Sequence, residues 1–145
     1  MTTNINNNHS RNILYKELSY KLQGIFFKIR NDLGSGHKES IYQNALAKEL
    51  EKNKIIFQKE YPVKIYSKEG YFLGLYKPDF VIENKIIIEV KAKGFLSKQE
   101  RTVIYDYLKN SEFEIAYIVN FGSKKLFFKR YIFTNNRKPW LKKIK

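Results

Sequence analysis

The stretch KPDFVIENKIIIEVKAK, residues 77–93, decides the reading of this chain. Two apolar runs, 80–82 and 86–88, flank a polar break, which is the pattern of a β-hairpin. If Glu83, Asn84 and Lys85 form a three-residue loop centred on Asn84, Asp79 stands directly opposite Glu89. A loop one residue longer or shorter makes them diagonal neighbours instead. Opposed side chains lie about 5 Å apart at Cβ, and like charges so placed destabilise the ladder unless something positive sits between them. Magnesium or manganese suits that place, because these hard cations take carboxylate oxygens. Lys91, two residues after Glu89, points to the same face of the strand. A metal held by Asp79 and Glu89 would polarise a phosphate ester and lower the pKa of a bound water. Lys91 would stabilise the charge that develops, or orient the attacking water. Spacing alone favours a surface strand with solvent-facing acids and lysines, since 29% of the residues are charged.

Working outward, the N-terminal side is helical. Leu14, Leu18, Leu22, Ile25, Phe26, Ile29 and Leu33 recur at threes and fours, predicting a helix over 14–33. Gly34 and Gly36 stop it, since glycine adopts the left-handed conformation of a helix C-cap. A second helix is expected over 37–54, burying Ile41, Ala45, Leu46 and Leu50. Tyr61, Val63 and Ile65 then alternate with polar neighbours as a half-buried strand, and 71–82 returns, bent near Gly74 or Pro78. Residues 85–92 form the third strand, with Ile86, Ile88 and Val90 on one face. Ser97, with Glu100 three residues on, is the capping box of a helix reaching about residue 110. Residues 115–121 and 126–131 close the chain as a strand pair. The expected order α-α-β-β-β-α-β-β gives an α/β (α+β) sandwich with a mixed central β-sheet flanked by helices.

The chain has 145 residues, the size of one domain. We divide it into a polar lead-in at 1–12, a domain at 13–133 and a basic C-terminal tail at 134–145. There is no cysteine, no run of about 18 apolar residues and no apolar signal-like start, so a cytoplasmic protein without a membrane partner is expected. The formal net charge of +14 calls for an anionic partner, nucleic acid before an acidic membrane surface. After Glu114 the chain carries no acid but has Lys124, Lys125, Lys129, Arg130, Arg137, Lys138, Lys142, Lys143 and Lys145. Candidate phosphate contacts are Lys93, Lys98, Arg101, Lys124, Lys125, Arg137 and Lys138. Tyr66, Tyr71, Tyr76 and Trp140 are candidates for stacking on bases. The two histidines, His9 and His37, do not make a convincing metal pair.

Pro78-Asp79 followed after a short hairpin by Glu89-Val90-Lys91 resembles the signature of the PD-(D/E)XK nucleases. Gly36, Glu39 and Tyr42 match the pattern that names the GxxExxY proteins within that superfamily, and Gln43-Asn44-Ala45-Leu46 and Val119-Asn120-Phe121-Gly122 resemble the same family. The similarity covers roughly residues 14–131. It implies a metal-dependent endonuclease with DNA, ahead of RNA, as substrate and Mg2+ or Mn2+ as cofactor. It implies Asp79 and Glu89 as metal ligands with the Val90 carbonyl as a third, and Lys91 as the catalytic lysine. Glu39 would be the helical acid that completes or supports the metal site. Gly36, Glu39 and Tyr42, three apart, would share one helix face. The resemblance departs at one point: four residues before Tyr107-Leu108 stands Val103, where the family often has glutamine, with Gln99 one turn earlier. One site per chain would favour a homodimer for double-strand cutting. The alternative function is a non-catalytic nucleic-acid-binding protein that retains the nuclease fold, although such a binder has no need of Asp79, Glu89 and Lys91 together.

Overall fold

A computed structural model describes residues 14–144. The expected lead-in, including His9, lies outside the described residues. Helices α1 (Lys16–Leu33) and α2 (Glu39–Lys52) come first. Five strands follow: β1 (Phe57–Lys59), β2 (Val63–Tyr66), β3 (Phe72–Tyr76), β4 (Phe80–Ile82) and β5 (Ile86–Lys91). Helix α3 (Lys98–Lys109) then leads to the hairpin of β6 (Ile115–Asn120) and β7 (Phe127–Ile132). The main sheet has the order β1-β4-β5-β6-β7, while β2 and β3 form a separate two-stranded sheet. Only β5 and β6 run parallel, because α3 carries the chain back between them; the remaining pairs are antiparallel.

The two faces of the main sheet bury different layers. Leu22, Phe26 and Ile29 of α1 and Tyr42, Leu46 and Leu50 of α2 pack on Ile86, Ile88, Val90, Tyr117 and Val119. Ile104 and Leu108 of α3 cover the opposite face through Ile87, Ala116 and Ile118. This is the mixed sheet flanked by helices that periodicity predicts. Both faces of β6 are covered, which is why Ile115-Ala116-Tyr117-Ile118-Val119 is continuously apolar rather than alternating.

Several local expectations are corrected. In α2 the buried stripe is Tyr42, Leu46 and Leu50, at a spacing of four, and Ile41 is exposed. Gly36 precedes that helix, so it does not share a helix face with Glu39 and Tyr42. Of the two glycines after α1, Gly34 is the one with positive φ, 72°, and its N–H bonds to the Arg30 carbonyl. Strand β1 was not anticipated; its three residues lie on the edge of β4. The return at 71–82 divides into β3 and β4, which belong to different sheets. The division falls at Lys77-Pro78-Asp79, where proline cannot donate to a ladder.

The C-terminal segment folds back against the domain through two short 3-10 turns, Asn135–Arg137 and Pro139–Lys143. Trp140 is 4% exposed, stacks on Tyr66 at 5.3 Å between ring centres, and donates its indole N–H to the Lys109 carbonyl at 3.1 Å. Gly70 lies so close to the Lys143–Ile144 backbone that a Cβ there would collide with it. Lys138, expected to meet phosphate, is instead 3% exposed. Its ammonium donates to the carbonyls of Ser111 (2.7 Å) and Phe113 (2.6 Å) and to Asn135 Oδ1 (2.8 Å). Burial pulls its pKa down to about 8, against the attraction of Glu114 and Glu112. The ammonium form persists at neutral pH with all three donors engaged. Tyr66 and Trp140 are likewise occupied with each other rather than presented to bases.

These contacts make the tail part of the packing. Trp140→Ala is expected to lower unfolding free energy by about 3 kcal/mol, the usual cost of emptying a buried aromatic site. Urea unfolding followed by circular dichroism measures it, since Trp140 is the one tryptophan of the chain. A loss below about 0.5 kcal/mol, the ordinary range of surface substitutions, would show the tail to be peripheral.

Candidate active site

The hairpin register is the one that sets Asp79 against Glu89. Ile82 pairs with Ile86, Val81 with Ile87 and Phe80 with Ile88, leaving Glu83, Asn84 and Lys85 as the loop. Glu83 and Asn84 both have positive φ, 50° and 54°, and Lys85 N–H bonds to the Ile82 carbonyl at 2.9 Å. Such a mirror-image turn matches the right-handed twist of the strands it joins. One step beyond Phe80 and Ile88 the ladder gives way to a crossed pair of side-chain bonds. Asp79 N–H donates to Glu89 Oε1 at 2.9 Å, and Val90 N–H donates to Asp79 Oδ2 at 2.7 Å. The two carboxylates are thus held side by side at the end of β4 and β5.

Alternation along β5 turns Ile86, Ile88 and Val90 to the α1–α2 layer, and Glu89 and Lys91 to the other side. There Tyr76, at the end of β3, hydrogen-bonds the Glu89 carboxylate. Tyr76 in turn stacks on Tyr107 of α3 at 3.9 Å, nearly parallel, so its ring is committed to this contact and not to a base. Glu39 approaches from the first turn of α2 at the same end of the sheet and feels Asp79, Lys91 and Lys93. Gln43, one helical turn after Glu39, bonds Glu39 Oε2 at 3.4 Å and also hydrogen-bonds Asp79.

Electrostatically this is a site with surplus half-buried negative charge. Burial, and then the Asp79 carboxylate, push Glu89 up to about 7, against the pull of Asp79 N–H, the Tyr76 hydroxyl and Lys91. Burial also raises Asp79, opposed first by the Val90 N–H and then by Lys91. Glu39 is raised by burial and by Asp79. The Tyr76 hydroxyl is pushed well above its usual range by burial and by Glu89. A cation between Asp79 and Glu89 would relieve each of these strains.

The donor chemistry fits a hard divalent ion. Asp79 and Glu89 supply carboxylate oxygens. Val90 turns its N–H towards Asp79, and an extended residue projects its carbonyl to the same edge. Among the described residues no three acidic or histidine side chains form a ready-made metal cluster; Glu39 stands beside the pair, within electrostatic reach of Asp79.

The exit of β5 is fixed by a residue that the sequence placed in the Val119–Gly122 motif without a role. Asn120, 1% exposed, accepts from Lys93 N–H at 2.9 Å and donates to the Lys93 carbonyl at 2.8 Å. Its Oδ1 also accepts from Gly122 N–H at 3.1 Å. Gly122 must lack a side chain, since a Cβ would meet the Ala92 and Lys93 backbone at 2.5 Å. A polar residue ending the apolar run 115–119 was the available signal, because a buried amide demands partners. Gln43 stood in the Gln43–Leu46 motif, one helical turn after Glu39, and Tyr76 was read as a stacking candidate, with only its nearness to Asp79 to mark its contact with Glu89.

The proposed phosphate contacts divide by location. Lys93 follows β5, Lys98 and Arg101 lie in the first turn of α3, and Lys124 and Lys125 follow β6, all at the carboxylate end of the sheet. Lys93 pairs with Glu100. Arg101 is half-buried, and its Nε has no hydrogen-bond partner. Arg137 and Lys138 follow β7, whose end lies beside the start of β6 (Ile115 opposite Ile132). That is roughly 17 Å along the strand from Asn120. Arg137 covers the Phe133 ring at 4.1 Å. Gln99 and Val103 are both exposed on α3.

Glu89 yields a pH prediction in metal-free buffer. Its folded pKa, about 7, exceeds the unfolded value near 4.5, so between these values the folded state binds more protons. Stability contributed by this group therefore falls as pH rises from about 4.5 to 7. With EDTA present, Glu89→Gln is expected to stabilise the protein at pH 8 by up to about 3 kcal/mol, and scarcely at pH 4.5. Denaturant unfolding at the two pH values decides it; an equal effect at both would show that ionisation is not the cause.

A family model described as the PD-(D/E)XK nuclease superfamily matches residues 16–131, from the start of α1 to β7. No curated protein and no solved structure matches the chain. The matched span holds the whole main sheet except the last residue of β7, with the Asp79–Glu89 hairpin at its centre, and the chain belongs to the PD-(D/E)XK nuclease superfamily.

Proposed function

We propose that this chain is a metal-dependent nuclease of the GxxExxY kind that hydrolyses phosphodiester bonds of DNA. The observation that carries the reading is the crossed pair joining Asp79 and Glu89, with Val90 between them and Lys91 on the Glu89 face. Asp79, Glu89 and the Val90 carbonyl would hold Mg2+ or Mn2+. When bound, such an ion supplies Lewis-acid charge at the phosphate and acidifies water.

The chain's own residues have separable tasks in this proposal. Lys91, half-buried beside two carboxylates, offers its ammonium to the non-bridging phosphate oxygens as negative charge builds on them. Tyr76 and the Asp79 N–H fix the Glu89 carboxylate, and Val90 N–H fixes that of Asp79. Glu39, held by Gln43, acts as the supporting acid. Asn120 keeps the strand end at Lys93 in place, two residues beyond Lys91. Lys93, Lys98, Arg101, Lys124 and Lys125 provide the sequence-independent attraction for the backbone. Because each chain carries one such site, a double-strand break requires two copies or two successive cuts. No described helix is long and apolar enough to cross a membrane.

Asp79→Ala and Lys91→Ala are expected to abolish cleavage of plasmid and single-stranded DNA in Mg2+ or Mn2+. DNA affinity measured in EDTA should stay within about threefold of wild type, since it comes from many phosphate contacts. Either variant cutting at the wild-type rate contradicts the assignment. A wild-type protein that binds DNA but cuts no nucleic acid with either metal leaves the non-catalytic binder as the correct reading.

A further inference from the structure

Phe95 is 80% exposed, with Tyr20 among the most exposed large hydrophobic side chains of the described residues, and lies four residues beyond Lys91. Four residues of chain reach at most about 14 Å, so its ring stays within a few nucleotides of any phosphate at Lys91. The next residue, Leu96, is 7% exposed and packs with Ile104 and Leu108 under α3. An aromatic ring is left in water while the smaller neighbour is buried.

The loop offers no slack to reverse that choice. On one side Asn120 holds both the N–H and the carbonyl of Lys93. On the other, the capping box fixes Ser97: Glu100 N–H donates to Ser97 Oγ at 3.1 Å, and Ser97 N–H donates to Glu100 Oε2 at 3.0 Å. Lys93 and Glu100 then join the two anchors as an ion pair. Gly94, Phe95 and Leu96 span the interval, and burial of Leu96 turns the Phe95 ring outward. Lys93 and Lys98 flank it, both exposed. A rigidly presented aromatic between cations, at the end of the sheet where the carboxylates lie, has the chemistry of a base-stacking platform. Such platforms take unpaired bases, because a base inside a duplex has both faces covered.

We infer that Phe95 stacks on an unpaired base next to the cleaved phosphate, so that the preferred substrate is single-stranded DNA or a duplex with a single-stranded or splayed segment. The inference rests on the nuclease reading for the position of the cleaved phosphate, but binding can be tested without cleavage.

The test measures binding in EDTA by fluorescence anisotropy, using single-stranded and blunt duplex oligonucleotides of equal length, for wild type, Phe95→Ala and Phe95→Trp. Phe95→Ala is expected to weaken single-strand binding about tenfold, equivalent to one lost stack, with the slope against salt unchanged. Duplex affinity should change less than twofold, and Phe95→Trp should retain single-strand affinity. A 2-aminopurine in the strand should be quenched by wild type and not by Phe95→Ala. Equal losses on both substrates, no loss on either, or a dimer in sedimentation that Phe95→Ala dissociates would each overturn stacking. Cleavage with Mg2+ is assayed separately. Wild type that cuts while Phe95→Ala binds normally sinks only this inference. Wild type that binds through Phe95 yet never cuts sinks the nuclease reading and leaves the stacking site.

Discussion

The site depends on the register of one hairpin. Three loop residues, Glu83, Asn84 and Lys85, put Phe80 opposite Ile88, and so put Asp79 and Glu89 at the first position beyond the ladder. A slip of one residue would turn every side chain of β4 to the other face of the sheet. Phe80 and Ile82 would then leave the core cluster they share with Ile86 and Ile88. The apolar packing that stabilises the fold therefore also fixes the spacing of the two acids. Folding and chemistry share one constraint, and the polar pair cannot drift without loss of core.

Two half-buried acids beside each other are costly, and the surroundings show how the cost is contained. The Asp79 and Val90 N–H groups each donate to the carboxylate of the opposite partner. Tyr76 and Gln43 add side-chain donors, and Lys91 supplies positive charge. Even so, Glu89 remains near 7, well above an ordinary carboxylate. Perturbed carboxylates of this kind cluster at functional sites, in keeping with the metal site proposed here. The nearby Lys93–Glu100 pair and the Asn120 clamp hold the end of β5, so the strain is met by a stiff frame.

Positive charge is used in two ways that net charge does not distinguish. Lys93, Lys98, Lys124 and Lys125 are exposed at the carboxylate end of the sheet, where they can meet a polyanion. Lys138 and Trp140 instead tie the C-terminal segment to Ser111, Phe113 and Lys109 at the other end. The run of basic residues after Glu114 is thus divided between surface attraction and packing.

The sequence alone determined whatever depends on local periodicity and short-range hydrogen bonding. Alternation in 86–91 assigned Ile86, Ile88 and Val90 to the core, and the Ser97–Glu100 box placed the start of α3. The hairpin is legible from residues within eleven positions of each other, but direct opposition of Asp79 to Glu89, rather than a diagonal, was decided by the register that buries Phe80 and Ile82. Tertiary structure decided the rest. Whether Ile41 or Tyr42 is buried depends on how α2 turns against the sheet, and Tyr42 is favoured by its stacking on Phe121 and its bond to the Gly34 carbonyl. That β1 pairs with β4, that Tyr76 reaches Glu89, and that Asn120 clamps Lys93 across 27 residues all require chain segments brought together by the sheet. Lys138 looked like a surface cation because its three acceptors, in the turn after α3 and at Asn135, converge only once β6 and β7 have paired. Local patterns carry the sign and spacing of charge; which charges face solvent is set by the packing of segments distant in the chain.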